Sequence, residues 1–246
     1  MTETGPQYDD IGRFYEEYAE NAALKRAEAY TVYKSLGEIK GKTILDVACG
    51  FGFYTRKLRE FGARKAVGVD VSREMIQIAQ SREKAEPVGA EYLVCDCAAL
   101  PVLDEFELIS AVYLFNYATS KSVMKEMFVG MKKNLKSGGR LVAYTVNPAF
   151  DMHKANFTKY GITVFSETEI DGGFLANGEF VTDPPTPIQA YRWRANVYEW
   201  AAAEAGFVDF KWHPLEIADG DLAERGPEFW QEFRSNCIAV GFSCVG

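Results

Sequence analysis

A glycine turn, followed by a carboxylate at the end of the next strand-like run, is the part of this sequence best suited to chemistry. Gly50 and Gly52 interrupt a β-rich run at residues 43–48, and Asp70 ends the following run at residues 65–70. A glycine turn at the carboxyl end of a strand lets a ligand approach the backbone, and a carboxylate ending the neighbouring strand can accept hydrogen bonds from two ribose hydroxyls. These residues therefore predict a nucleoside-binding site.

The sequence lacks the two patterns that bind nucleotide phosphates. Thr55 stands where the dinucleotide fingerprint requires its third glycine, and no segment reads Gly-x-x-x-x-Gly-Lys-Ser/Thr. A ligand that carries a ribose but no phosphate fits better, and a nicotinamide-dependent oxidoreductase is disfavoured.

Strand-like and helical segments alternate along the middle of the chain, which is typical of a parallel sheet covered by helices. The sequence predicts strands at residues 43–48, 65–70, 91–95, 106–114 and 139–145, with helices at 53–61, 72–82 and 121–135 between them. A helix at 197–205 and strands at 207–214 and 237–244 complete the predicted sheet. Ligands of such sheets bind at the carboxyl ends of the strands.

The chain is predicted to be a single domain, residues 1–246, with four parts. Residues 1–40 form an N-terminal helical cap, 41–149 a cofactor-binding core, 150–195 an insert or lid, and 196–246 the completion of the sheet. The insert contains Gly172-Gly173, Asn177-Gly178 and Asp183-Pro184-Pro185 between short alternating runs, which predicts antiparallel strands joined by turns.

Four segments of the core together resemble the class I S-adenosylmethionine-dependent methyltransferases. They are Asp46-Val47-Ala48-Cys49-Gly50-Phe51-Gly52, Val67-Gly68-Val69-Asp70, Asp96, and the turn Leu135-Lys136-Ser137-Gly138-Gly139-Arg140-Leu141. The resemblance implies a Rossmann-like α/β fold: a mostly parallel seven-stranded sheet with helices on both faces, an N-terminal helical cap and an antiparallel insert after strand five. It also implies S-adenosyl-L-methionine as cofactor and S-adenosyl-L-homocysteine as product.

The same resemblance implies which residues bind the cofactor. Asp70 corresponds to the carboxylate on the ribose, Asp96 to the residue at the adenine amino group, and the Cys97 amide to a donor for the ring. Asp46 either orients the glycine loop or assists the cofactor ammonium, and Met75 either packs on adenine or belongs to the helix core. The full set is Tyr15, Tyr18, Arg26, Asp46, Ala48, Gly50, Gly52, Asp70, Val71, Met75, Asp96, Cys97, Ala98 and Tyr113.

Tyrosines are dense near the start of the chain, at Tyr8, Tyr15 and Tyr18. They resemble the cap helix that many small-molecule methyltransferases fold over their cofactor, where a lid would exclude water from the sulfonium. The alternative is an aromatic helix face that packs on the domain.

Aromatic and amide side chains follow strands four and five and close the insert. The predicted substrate-binding residues are Phe115, Asn116, Tyr117, Tyr144, Asn147, Tyr191 and Trp193. We expect the rings to grip a small planar heteroaromatic acceptor and Asn116 to orient it by hydrogen bonding. The segment Asn116-Tyr117-Ala118-Thr119 is not the Asn/Asp-Pro-Pro-Tyr motif of methyltransferases that act on nucleobases or glutamine amides, which disfavours those substrates.

The tyrosine-rich start and the segment Tyr113-Leu114-Phe115-Asn116-Tyr117 most resemble the toxoflavin-synthase type of N-methyltransferase in microbial secondary metabolism. Methyl transfer to a nitrogen with a free lone pair depends on alignment more than on acid or base help. His153 is the candidate base if the acceptor is a hydroxyl. The alternatives are an O-methyltransferase for a small phenolic or hydroxyl acceptor, and a non-catalytic protein that binds S-adenosylmethionine.

The composition limits the partners to be expected. The formal net charge is −8, which gives no overall attraction to nucleic acids or anionic membranes. Five cysteines, an odd number, favour a reducing cytoplasm, and only two histidines, His153 and His213, make a metal site improbable. We therefore expect a cytoplasmic monomer or homodimer that acts on a small molecule and binds no metal, nucleic acid or membrane.

Overall fold

The computed structural model describes residues 23–155 and 157–246, which form two β-sheets. Their strands are β1 (Thr43–Val47), β2 (Lys65–Asp70), β3 (Glu91–Val94), β4 (Phe106–Val112), β5 (Leu135–Val146), β6 (Ile162–Ile170), β7 (Gly173–Phe180), β8 (Thr186–Trp193), β9 (Val208–His213) and β10 (Ala239–Val245). The large sheet has the order β3-β2-β1-β4-β5-β10-β9, and β6, β7 and β8 form the small one. The predicted Rossmann-like fold with an antiparallel insert is confirmed.

The large sheet is mostly parallel. Strand β1 pairs in parallel with β2 and β4, β2 with β3, and β4 with β5. Strand β10 runs antiparallel between β5 and β9. The carboxyl ends of the parallel strands therefore meet at one edge, and the strand order reverses between β1 and β4, where open α/β sheets bind ligands.

Seven helices accompany the sheets within the described residues. They are α1 (Ala23–Leu36), α2 (Phe53–Glu60), α3 (Arg73–Ala85), α4 (Lys121–Lys133), α5 (Ala195–Glu204), α6 (Asp219–Arg225) and α7 (Gln231–Ser235). Ser72 caps α3, because its hydroxyl accepts a hydrogen bond from the Met75 N–H at 3.2 Å. The sequence pattern did not predict α6 and α7, since each is too short to show a helical period.

Helix α2 packs directly against the sheet at a glycine. A Cβ atom on Gly68, in the middle of β2, would lie 2.7 Å from Thr55 Oγ1 and 2.8 Å from Cys49 Sγ. Because Gly68 has no side chain, α2 approaches the strands closely enough for Thr55 to reach Asp46 on β1. Strand β1 itself is buried along its whole length, as expected for a central strand covered on both faces.

The insert between β5 and α5 is an antiparallel meander of β6, β7 and β8. A buried ion pair fixes it to the segment that follows β5. Arg192 donates two hydrogen bonds to Glu167, from Nε at 2.6 Å and from Nη2 at 2.5 Å, and a third to the Pro148 carbonyl at 2.8 Å. Strand β5 begins earlier than predicted, because Leu135 pairs with Phe106 of β4 across an irregularity in register.

Neither membrane spans nor metal clusters occur in the part of the chain that the structure describes. Within residues 23–155 and 157–246, no helix combines the length and apolarity needed to cross a bilayer. No group of three or more histidine, cysteine or acidic side chains in these ranges is placed to hold a metal ion. The five cysteines are free thiols, and burial raises the pKa of Cys97 well above its usual range, so that it stays protonated.

Candidate functional site

A cleft of about 440 Å³ opens at the carboxyl ends of β1, β2 and β4, where the strand order reverses. The sequence predicted nine of its lining residues: Ala48, Gly50, Asp70, Val71, Met75, Asp96, Cys97, Ala98 and Tyr113. The sequence did not predict the other six lining residues for the cleft: Val112, Leu114, Tyr117, Thr119, Val123 and Met127. Of these, Tyr117 was predicted as a substrate-binding residue instead. Most of the missed residues are apolar, and an apolar residue of a strand or helix has the same pattern whether it faces the core or a cleft.

Two residues at the rim of this cleft have left-handed backbone conformations that non-glycine residues rarely adopt. The φ angle is 61° at Ala48, after β1, and 56° at Tyr113, after β4. Such a conformation costs about 1–3 kcal/mol at a non-glycine residue, and such residues cluster at ligand sites. The two strained residues, Ala48 and Tyr113, therefore lie at the ends of β1 and β4, and both line the cleft.

The Asp70 carboxylate organises the glycine loop from the end of β2. Its Oδ2 accepts a hydrogen bond from the Gly50 N–H at 2.8 Å, and its Oδ1 accepts one from the Ser72 N–H at 2.9 Å. A carboxylate has about four lone-pair sites and can accept hydrogen bonds from backbone N–H groups and from hydroxyl groups at the same time. Asp70 thus shapes the loop and borders the cleft.

Asp46 lies beneath the glycine loop and does not border the cleft. It is 1% exposed, and its Oδ2 accepts a hydrogen bond from Thr55 Oγ1 at 2.7 Å. Burial raises the pKa of Asp46 to about 6. Its position between β1 and α2 favours the role of orienting the loop over direct contact with a ligand.

The opposite side of the cleft combines a short turn with an apolar wall. Asp96 caps the turn at Cys97–Ala99, because its Oδ1 accepts a hydrogen bond from the Ala98 N–H at 2.8 Å. Val71 is 47% exposed beside the buried Met75. An apolar wall next to a few fixed polar groups suits a planar ring such as a nucleobase.

A second, narrower cavity of about 70 Å³ adjoins the cleft at Tyr113 and Tyr117. It lies between α1, the ends of β4 and β5, and one face of the small sheet. Its other lining residues are Leu24, Lys25, Glu28, Asn116, Val146, Phe150, Ile162, Val164, Glu167, Ala176, Asn177, Gly178, Phe180, Ile188, Ala190 and Ile238. A cavity of about 150 Å³ accommodates benzene, so we expect α1 and the insert to move apart when a ring enters.

Lys25 and Glu28 of α1 line this second cavity and were not predicted from the sequence. Glu28 is 2% exposed and Lys25 is 6% exposed, and both lie on the buried side of α1. Glu28 Oε1 accepts hydrogen bonds from the Lys25 ammonium and from the Tyr54 hydroxyl, the latter at 2.5 Å. The available signal was their spacing: they stand three residues apart on the helix face that also carries Leu24 and Thr31.

Several predicted cofactor residues do not reach the cleft. Arg26 points away, with its Nε 3.1 Å from Asp221 Oδ1, and connects α1 to α6. Gly52 permits close packing instead, because a Cβ there would lie 2.6 Å from the Tyr92 hydroxyl. The predicted cap residues Tyr8, Tyr15 and Tyr18 lie outside the described residues.

Three predicted substrate-binding rings border neither cavity: two are buried in the interior, and the third, Tyr191, is partly buried against one of them. Phe115 is fully buried and stacks on Phe128 at a centroid distance of 4.5 Å. Trp193 is 1% exposed and donates from its indole N–H to the Ala118 carbonyl at 3.1 Å. Tyr191 stacks on Trp193 at 5.9 Å. The structure corrects the prediction for these rings, because helices α4 and α5 cover the side of the sheet on which they lie.

Of the remaining predicted residues, Asn116 and Tyr117 line the second cavity and the others do not. Tyr144 is buried behind Tyr113, with the two rings edge to face at 5.4 Å. Asn147 donates from Nδ2 to the Cys237 carbonyl at 2.8 Å, which is a structural role. The candidate base His153 is exposed in the turn region after β5 and borders neither cavity.

Residues 44–139, which contain the glycine loop, Asp70 and Asp96, match the family model of a methyltransferase domain. The demethylmenaquinone methyltransferase of Lactococcus lactis is 34% identical over 133 residues, which are 52% of this chain and 51% of that protein. The chain thus spans about half the length of this relative.

Solved structures share the fold over almost the whole chain. The CcbJ methyltransferase of Streptomyces caelestis has a TM-score of 0.67 at 17% identity, covering 98% of this chain and 97% of that one. An S-adenosylmethionine-dependent methyltransferase from Mesorhizobium loti has a TM-score of 0.65 at 20% identity, covering 89% and 98%. Fold and family match agree: residues 44–139 match the methyltransferase-domain model, and they lie within a Rossmann-like fold that these solved methyltransferase structures share.

Proposed function

We propose that this protein transfers the methyl group of S-adenosyl-L-methionine to a small-molecule acceptor and releases S-adenosyl-L-homocysteine. The observation that carries the proposal is the contact between the two cavities: Tyr113 and Tyr117 line both of them. One cavity suits the nucleoside part of the cofactor, and the other suits a separate apolar molecule. A protein that only bound the cofactor would not need the second cavity.

The lining residues fit the cofactor in its polar and apolar parts. Asp70 would accept hydrogen bonds from the two ribose hydroxyls, and Asp96 with the Cys97 amide would bind the edge of the adenine ring. Val71 and Met75 would pack on its face. When bound, the cofactor supplies an electrophilic methyl group on a sulfonium.

The chain's contribution to methyl transfer is alignment and the exclusion of water. Tyr113 and Tyr117 stand between the cavities, where they would align the acceptor with the methyl group. The second cavity is apolar over most of its wall, which keeps water from the reacting atoms. A nitrogen with a free lone pair needs no base, in keeping with the position of His153 outside both cavities.

We further propose that the acceptor is a small planar heteroaromatic molecule methylated at nitrogen, as in toxoflavin-synthase-type enzymes of secondary metabolism. Tyr113 and Tyr117 offer two rings for stacking, and Asn116 offers an amide for orientation. The net charge of −8 supports a small acceptor over a nucleic acid, and free thiols suit the cytoplasm. O-methylation of a small phenolic or hydroxyl acceptor is the second candidate, since the mostly apolar wall of the second cavity also accommodates a phenol ring.

The test is turnover with a defined acceptor panel. We expect S-adenosyl-L-homocysteine and an N-methylated product, identified by mass spectrometry, with pyrazole or benzimidazole as acceptor. Catechol tests O-methylation, and DNA, RNA and a mixed peptide test macromolecular substrates.

Tyr117→Ala should reduce transfer by about tenfold or more through lost alignment. The matched control is Tyr30→Ala, at a residue that is 39% exposed, and this change should leave the rate of methyl transfer unaltered. Methylation of a macromolecule alone, or no turnover with any small molecule, would contradict the proposal.

A further inference from the structure

Some polar groups in the wall of the second cavity already have hydrogen-bond or ion-pair partners within the protein, and others do not. Within the described residues, the charged groups of the wall are Lys25, Glu28 and Glu167, and Asn116 is a buried amide. Which of these groups are engaged by protein partners determines what a ligand can bind.

The cations at this wall are engaged. The Lys25 ammonium is paired with Glu28 and lies 4.6 Å from the centroid of the Tyr54 ring. Behind the wall, Arg192 binds both oxygens of Glu167. Because each positive charge already faces a carboxylate, the described part of the cavity offers little attraction to an anionic ligand.

Two acceptor atoms, in contrast, are available at this wall. Glu28 receives both of its hydrogen bonds, from Lys25 and Tyr54, on Oε1, and Oε2 receives none from the described residues. Asn116 is 2% exposed, and its Oδ1 has no hydrogen-bond partner among the residues that the structure describes. A buried acceptor without a partner is unfavourable, so a ligand that supplies a donor would be favoured at Asn116 Oδ1. Glu28 Oε2, a carboxylate oxygen, can accept a second donor from the same ligand.

We propose that Glu28 and Asn116 select the acceptor by its hydrogen-bond donors. The cavity takes an apolar ring that carries an N–H or NH2 group, bound by Glu28 Oε2 and the Asn116 amide, and it discriminates against a ring that carries a carboxylate there. This inference rests on the proposed function, since it names the chemical class of the methyl acceptor. It assigns a specificity role to a helix α1 residue.

Three matched fluorinated rings test this selection without knowledge of the natural acceptor. The probes are 4-fluoroaniline, 4-fluorotoluene and 4-fluorobenzoate, which differ in one substituent, and their binding is followed by fluorine NMR. The protein is first saturated with S-adenosyl-L-homocysteine, whose binding is measured separately by calorimetry. We expect 4-fluoroaniline to bind at least tenfold more tightly than the other two rings.

Variants then assign the effect to the two residues. Asn116→Leu keeps the size of the side chain. It should weaken the binding of 4-fluoroaniline about fivefold and strengthen the binding of 4-fluorotoluene. Glu28→Gln should weaken the binding of 4-fluoroaniline about tenfold. Glu60→Gln, at an exposed glutamate paired with Lys57, is the matched control and should change neither affinity. If Glu28→Gln does not fold, because Lys25 loses its partner, Asn116→Leu still decides the question.

The outcomes separate this inference from the proposed function. Tighter binding of 4-fluorobenzoate than of 4-fluoroaniline would overturn it, as would equal binding of all three probes or binding of none. A Glu28→Gln protein with weakened S-adenosyl-L-homocysteine binding but unchanged 4-fluoroaniline binding would assign Glu28 to the cofactor and also overturn it. Failure of the wild-type protein to bind S-adenosyl-L-homocysteine would instead contradict the proposed function, and the probe series on the ligand-free protein would still test the selection.

Discussion

Replacing Trp193 by alanine should lower the free energy of unfolding by about 3–5 kcal/mol, the range for removing a fully buried large aromatic side chain. Trp193 lies at the end of β8, is 1% exposed and belongs to the core between the large sheet and helices α4 and α5. The change would also leave the Ala118 carbonyl without its indole donor. Urea unfolding at neutral pH, followed by circular dichroism, measures the loss.

The matched control is Trp200→Ala. Trp200 lies on α5 and is 42% exposed, so this change should cost much less than the change at Trp193. The comparison separates the core role from the substrate role that the sequence suggested. A Trp193→Ala protein with wild-type stability and impaired acceptor use would contradict the structural assignment.

Asp46 should make the stability of the protein fall as the pH rises from about 4 to about 6. Burial raises the pKa of this carboxyl from its ordinary value of 3.8 to about 6 in the folded state. Between these values the folded state holds a proton that the unfolded state releases, so the unfolded state becomes favoured as the pH rises. At about 1.4 kcal/mol per pH unit, the whole shift corresponds to about 3 kcal/mol, of which about 2 kcal/mol is lost between pH 4 and pH 6, and the loss is complete above about pH 7.

Comparison with Asp46→Asn isolates this contribution from those of other groups. The asparagine cannot ionise, and its carbonyl oxygen can still accept the hydrogen bond from Thr55. The stability of the variant minus that of the wild type should therefore increase by about 2 kcal/mol from pH 4 to pH 6 and level off near pH 7. Asp171→Asn, at a side chain that is 89% exposed, is the control. A constant difference for Asp46→Asn across pH 4–7 would show that this carboxyl is not buried as described.

The residues of the proposed cofactor side could be placed together from sequence because backbone geometry fixes them. A glycine loop after β1 and an acidic residue ending β2 must lie side by side once the two strands pair in parallel, as they do. Asp70 and Gly50 therefore meet directly. The fold followed in the same way from the alternation of strands and helices.

The acceptor side could not be predicted in the same way, because it depends on which face of an element is covered. Phe115 and Asn116 are neighbours in sequence, yet Phe115 packs in the core and Asn116 lines a cavity. A tight turn sends successive side chains in different directions, and no sequence pattern gives those directions. The cavity face of the small sheet was missed for a related reason, since Ile162 and Ile188 have the pattern of ordinary core residues.

Binding of S-adenosyl-L-homocysteine to the wild type and to Asp70→Ala, measured by isothermal titration calorimetry, tests the central claim most directly. The account predicts that the wild type binds one equivalent per chain and that Asp70→Ala binds about 30-fold more weakly, equivalent to about 2 kcal/mol for a lost pair of charge-assisted hydrogen bonds. The control Asp104→Ala, at a side chain that is 48% exposed, is paired with Lys65 and does not line the cleft, should bind as the wild type does. Wild-type affinity in a correctly folded Asp70→Ala protein would contradict the account.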